Sequence, residues 1–190
     1  MTSHRRSFLR FLLVWLPIAA VLSPTFAHAQ DNRKSPQQRQ AEAQARLEKE
    51  VRHELVMLPF YSVFDNLEYR VDGDRVTLSG QVTQPTLKSD AEKRVKSIEG
   101  VSSVDNKMEV LPVSPNDDRL RRAEFRAIYS ASNLNKYAIQ AVPPIHIIVK
   151  GGHVTLVGVV ANQADKNVAE IQAKSVSGVF SVDSKLTVEK

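Results

Sequence analysis

Apolar and polar positions alternate over residues 67–72, with Leu67, Tyr69 and Val71 on one side, and again over residues 76–82, with Val76, Leu78, Gly80 and Val82 on one side. A period of two is the signature of a strand with one buried face. Between the two runs stand Asp72, Gly73, Asp74 and Arg75, a glycine-bearing tight turn that predicts a hairpin. The period changes on either side. Leu47, Val51, Leu55 and Leu58 recur at steps of four, four and three, the stripe of an amphipathic helix. Pro59 stops that helix, because proline lacks the N–H donor and its ring clashes with the preceding turn. Leu87, Ala91, Val95 and Ile98 form a second helical stripe, ended by Gly100 as a C′ glycine ends a helix. Val104, Met108 and Val110 then predict a third strand.

The pattern occurs twice. Val76-Thr77-Leu78-Ser79-Gly80-Gln81-Val82 returns as Val154-Thr155-Leu156-Val157-Gly158-Val159-Val160, and Gly100-Val101-Ser102-Ser103-Val104-Asp105 as Gly178-Val179-Phe180-Ser181-Val182-Asp183. Both pairs share an offset of 78 residues, and 17 of 35 positions agree between residues 76–110 and their partners. Such agreement without a gap is a duplication of one small domain. The fold class expected is α+β, two tandem αββαβ units, each a three-stranded sheet covered by two helices. The sheet is mixed if the third strand lies beside the second. Glycine inside a strand weakens it, so the recurrence of Gly80 and Gly158 points to a bulge or a close approach by the covering helix.

The first 29 residues read differently. Arg5, Arg6 and Arg10 precede an apolar run from Phe11 to Leu22 and an Ala27-His28-Ala29 site, the plan of a secretory signal peptide cleaved near Ala29. Residues 30–44 are polar and are expected as a flexible arm that turns helical near Ala41. Units then span 45–111 and 119–190, joined by a linker at 112–118 whose Pro112 and Pro115 stiffen it. Asn116 or Asp117 is placed to cap the next helix. The chain has no cysteine, hence no disulfide or thiol chemistry. Export without disulfides suits a bacterial periplasm.

Whole-chain charge misleads. Three of the 26 basic residues and none of the 21 acidic ones fall in the first 29, so the remainder carries only +2. Near balance argues against a nucleic-acid partner.

The order of pieces, V-T-L-x-G-x-V, a helix with a central Ala91 or Ala169, then G-V-x-x-V-D ahead of Met108 and Val110 or Leu186 and Val188, resembles the BON domain. The resemblance covers about residues 45–112 and 119–190. It implies a binding module of the bacterial envelope, associated with periplasmic phospholipid attachment and envelope integrity, with osmotically inducible proteins among its members. Its recurring glycines and aliphatics are structural, so it carries over no catalytic residue.

Candidate chemistry is correspondingly sparse. Arg119, Arg122 and Arg126 share one face of the helix opening the second unit, at steps of three and four, with Phe125 and Tyr129 beside them. Arginine forks match phosphate oxygens, and an aromatic edge enters a headgroup layer, so this is the candidate anionic-lipid surface. Its alternative is an ordinary solvated face, with Asp118 paired to Arg122 and Phe125 pointing inward. The first unit shows Leu47, Glu50 and Glu54 near the equivalent places, so lipid contact is expected on the second unit alone. Phe60, Tyr61 and Phe64 are candidates for a partner patch, or for the seam between helix and sheet or between the two units. His146 and His153 fall several residues apart on the hairpin, facing about Val157 and Lys150, which makes no metal site. No catalytic constellation or phosphate loop is present. The reading is a non-enzymatic periplasmic protein that attaches to anionic phospholipid and supports envelope integrity or stress tolerance, without cofactor or small-molecule substrate. The alternative is a periplasmic protein–protein adaptor or chaperone-like module. Polysaccharide binding rests on exposed aromatics only.

Overall fold

The computed structural model describes residues 34–189. The signal peptide expected at residues 1–29 lies outside them. Helix α1 runs Pro36–Val56, opened by a capping box in which Ser35 and Gln38 satisfy each other's backbone donors. It therefore starts before Ala41, and most of the segment expected as an arm is helix. The cap, the Gln44–Glu48 bond and the Lys34–Glu42 ion pair hold a stretch with almost no apolar surface.

Strands β1 (Asn66–Asp72) and β2 (Arg75–Val82) form the predicted hairpin, with Asp72 facing Arg75. Helix α2 (Pro85–Lys96) crosses back to β3 (Ser103–Asn106) and β4 (Glu109–Val110), which both pair parallel to β2. They are one strand interrupted at residues 107–108. The second unit repeats the plan as α3 (Pro115–Tyr129), β5 (Ile145–Lys150), β6 (His153–Val160), α4 (Gln163–Lys174) and β7 (Ser181–Val188), with β7 unbroken beside β6. Strand order is first–second–third in both sheets, so each is mixed. His146 faces Val157 and His153 faces Lys150, as the turn predicts.

Three expectations about local structure need correction. Helix α3 begins inside the segment expected as linker, because Ser114 caps it and Pro115 occupies its first turn. Asp117 is no cap. It is buried and accepts the N–H groups of Gly151 (2.8 Å) and Gly152 (2.9 Å), tying the β5–β6 turn to the helix. The strand glycines answer to the neighbouring strand, not to a helix. Gly80 and Gly158 have φ of +105° and +139°, and a side chain there would collide with the carbonyls of Asn66 and Pro144.

Each unit has its own core. Val51, Leu55, Val76, Leu78, Leu87, Ala91 and Val95 are fully or nearly enclosed in the first, and Leu120, Ile128, Ile145, Ile147, Leu156, Ala169 and Ala173 in the second. The first helices align by their C-terminal ends, Val56 and Tyr129, at an offset of 73, five short of the 78 that relates the sheets, because the connection before β5 is the longer one. Leu47, Val51 and Leu55 then correspond to Leu120, Glu124 and Ile128. Glu124 thus stands where its sister unit has a valine. It is wholly buried, and neither carboxylate oxygen has a partner. On the facing helix the position of Val95 holds the smaller Ala173.

Burial pushes the Glu124 carboxyl up to about 8. The folded state therefore binds the extra proton between its ordinary value and about 8, so stability falls as pH rises through that window. At neutral pH the burden is on the order of 3 kcal/mol. Glu124→Met, close in volume and apolar, is expected to raise stability at pH 7 by roughly 1–3 kcal/mol. Urea melts at pH 5, 6, 7 and 8 check it: the gain grows with pH, and a gain independent of pH excludes the carboxyl as its source.

Candidate functional site

Two neighbouring features carry the sequence-predicted residues: the connection from α1 to β1, and the outer face of α3. Proline at position 59 turns the chain out of α1, and Phe60 follows with φ of +69°, a left-handed conformation that is rare for a bulky residue. Its side chain is 71% exposed, near the exposed Val56 and Met57 in sequence. Asp65 then fastens the connection. It is fully buried and accepts from the Ser62 N–H and hydroxyl and from the Thr83 N–H and hydroxyl, at 2.6–3.0 Å.

With its ends fixed, the connection enters the second unit. Val63 is buried in that unit's core, and its carbonyl accepts the Ile147 N–H at 2.8 Å. Phe64 packs against the same core and meets Phe125 edge-on, with ring centroids 6.3 Å apart. Tyr61 stacks on His146 at 5.6 Å, and its hydroxyl lies 3.3 Å from Nε2. Burial pushes the Tyr61 hydroxyl up to about 12, helped by the Asp65 charge. Burial also holds His146 below its ordinary value, against the pull of Asp65. A second link pairs Lys150 with Glu109 at 2.5 Å. Tyr61 and Phe64 therefore form the seam between units, the alternative the sequence left open, and Phe60 alone of the three faces outward.

On α3 the arginines and the aromatics part company. Arg119, Arg122 and Arg126 are exposed. Tyr129 is buried, its hydroxyl donating to the Ile145 carbonyl at 2.6 Å and accepting the Ile145 N–H at 3.2 Å. Phe125 packs inward, 4.8 Å from Tyr129. Asp118 pairs with Arg121, not Arg122. The buried Arg121 also donates to the Val149 carbonyl at 2.7 Å. Every carboxylate of α3 is thus buried or paired, with Asp118 still half exposed beside Arg121, and its outer face is predominantly positive.

The expected contrast with the first unit changes once the offset of 73 is used. Arg46, Lys49 and His53 occupy the places of Arg119, Arg122 and Arg126, and all are exposed. The equivalence with Leu47, Glu50 and Glu54 is one residue out of this register and so misses them. The contrast survives in the acids: Glu48 and Glu50 stand exposed among the basic residues of α1. Among the described residues no cluster of His, Cys, Asp or Glu could hold a metal, and no helix is long and apolar enough to cross a membrane.

The seam makes the units interdependent. Phe64→Ala removes an aromatic that belongs to the first unit in sequence and the second in packing. It is expected to cost roughly 3 kcal/mol and to accelerate amide exchange in β5 more than in β2. The reverse order would place Phe64 in the wrong core. His146, held neutral, makes stability fall as pH drops below about 6.5; His146→Phe, which keeps the stack, should flatten that limb.

The BON domain matches residues 40–112 and 129–190. The chain is 33% identical over 129 residues to osmotically-inducible protein Y of Escherichia coli, a match covering 64% of this chain and 61% of that protein. Among solved structures, CdsD, a structural protein of the type III secretion system of Chlamydia trachomatis, aligns at 12% identity with a TM-score of 0.31, over 76% of this chain and 92% of that one.

Proposed function

The chain belongs to the BON-domain family, and from that premise we propose that it is a non-enzymatic periplasmic protein that attaches to anionic phospholipid of the envelope and supports stress tolerance. The observation that carries the reading is the outer face of α3, where Arg119, Arg122 and Arg126 stand exposed and every carboxylate is buried or paired. Guanidinium forks bind phosphate oxygens bidentately. The nearby connection adds an apolar element, since Phe64 touches Phe125 on α3 and Phe60 projects from the same segment. Tyr129 and Phe125 serve by fixing the helix and not by touching lipid. The resemblance to a protein named for osmotic induction supports the stress-related part.

Attraction of about 1 kcal/mol per basic residue near an anionic surface gives weak, reversible attachment that fades with salt. Co-sedimentation with vesicles of phosphatidylglycerol and phosphatidylcholine is the test. Binding is expected to fall at least tenfold in Arg122→Glu/Arg126→Glu and at high salt, and to fall less in Phe60→Ala. Binding unaffected by the arginine changes excludes this surface. The exposed, left-handed Phe60 favours one second reading, a protein–protein adaptor, in which Phe60→Ala abolishes a salt-insensitive interaction and the arginine variants retain it.

A further inference from the structure

Sheet edges offer backbone donors and acceptors to any extended chain, and the four edges of this protein are treated unequally. On β5 four of the six outer groups are engaged: both of Ile145 by the Tyr129 hydroxyl, the Ile147 N–H by Val63, and the Val149 carbonyl by Arg121. On β1 the Val71 carbonyl is taken by the Gln44 side chain at 2.8 Å. The third strand of the first unit is interrupted at residues 107–108, where the Asn106 side chain accepts the Met108 N–H. Among the described strands β7 presents the longest continuous edge, eight consecutive paired residues against seven on β1, and no side chain or loop engages its outward backbone groups.

The side chains of that edge suit one partner. Glu189 turns its N–H inward to the Val160 carbonyl, so by the alternation of a parallel ladder Val182, Ser184, Leu186 and Val188 turn their backbone groups outward. An antiparallel partner centred on Ser184 bonds to this row. If that partner is another β7, Asp183 of each strand lies opposite Lys185 of the other, in the closer, non-hydrogen-bonded pairs. Val182 then meets Leu186 and Ser181 meets Thr187, while Phe180, 77% exposed and with its N–H turned inward to the Gly152 carbonyl, lies beyond the row.

The duplicate unit provides the contrast. There the same two residues, Asp105 and Lys107, close on each other at 2.9 Å across the interrupted strand. Asp183 and Lys185, held apart on a regular strand, enter no ion pair among the described residues. Charges guard an edge when they repel its likeness; an Asp and a Lys two apart about a centre invite it. We propose that β7 is a self-association edge, pairing antiparallel with β7 of a second copy of this chain into a two-fold dimer held by reciprocal Asp183–Lys185 pairs. One strand pair is a small interface, so the dimer is weak and concentration-dependent.

Sedimentation velocity over a roughly hundredfold concentration range tests it in the full purified chain. The protein is expected to pass from monomer to dimer. Asp183→Lys alone and Lys185→Glu alone, each placing like charges opposite, should stay monomeric. Mixing these two variants restores complementarity at both pairs and should restore association, as should the double swap in one chain. Arg70→Glu on β1, the other strand with alternating charges, should change nothing. A monomer at every concentration, a dimer indifferent to the β7 swaps, or single variants that fail to associate when mixed would each overturn the proposal. All these positions are exposed to solvent, and circular dichroism confirms that each variant is folded.

Discussion

The docking of the two units depends on one backbone hydrogen bond and the side chains around it. Val63, in the first unit's connection, accepts from Ile147 in the second unit's edge strand, and its side chain is enclosed in the second core. A 60–70-residue domain buries only roughly 60% of its unfolded surface and is marginal alone. Here one unit lends its neighbour apolar area and at the same time satisfies an edge donor that would otherwise face water. Asp65 makes the loan possible. Its four hydrogen bonds bind the connection to the loop after β2, so that Val63 and Phe64 are presented outward and not folded onto their own sheet.

This arrangement explains how two copies of one sequence have diverged. The first unit keeps a fully aliphatic stripe on α1 and an unusual connection. The second accepts that connection, and its own connection is longer, closed by Tyr137, whose hydroxyl donates to Asp165 at 2.6 Å and accepts the Ala161 N–H at 2.8 Å. Lys136 joins the same carboxylate at 2.7 Å and holds it below the usual range. The second unit also tolerates Glu124, an unpaired carboxyl in a core. Its charge is relinquished instead of compensated, since burial alone accounts for its raised value.

The alternating and helical periods made the αββαβ plan legible, and the two-residue turns set the hairpin registers down to the pairing of His146 with Val157. What the periods could not convey was anything decided between units. Tyr61 and Phe64 carry no mark in sequence that distinguishes a seam from an exposed patch, because aromatic area is wanted in both. Tyr129 sits at helical spacing from Arg122 and Arg126, but its hydroxyl finds the Ile145 backbone only once β5 is in place. The start of α1 was obscured for a different reason: its first turns are held by a cap and local polar pairs, with little burial to betray them. Setting Arg119, Arg122 and Arg126 against Leu47, Glu50 and Glu54, one residue out of helical register, hid Arg46, Lys49 and His53, because an insertion in a connection leaves the helices without the offset that relates the sheets.

The same reasoning separates the surfaces that remain. Positive charge on both first helices is a property of the duplicated plan and not of one copy, so its presence alone cannot mark a binding face. What distinguishes α3 is the removal of its acids: Asp117 to the β5–β6 turn, Asp118 to Arg121, Glu124 to the core. Each placement serves a structural purpose inside the second unit, and together they leave the outer face with only the half-exposed, paired Asp118 as counter-charge. On α1, Glu48 and Glu50 keep their places in solvent and neutralise the stripe. A predominantly positive face here is thus a consequence of how the second unit folds, and the attraction to phosphate we propose would follow from the placement of the carboxylates as much as from the arginines themselves.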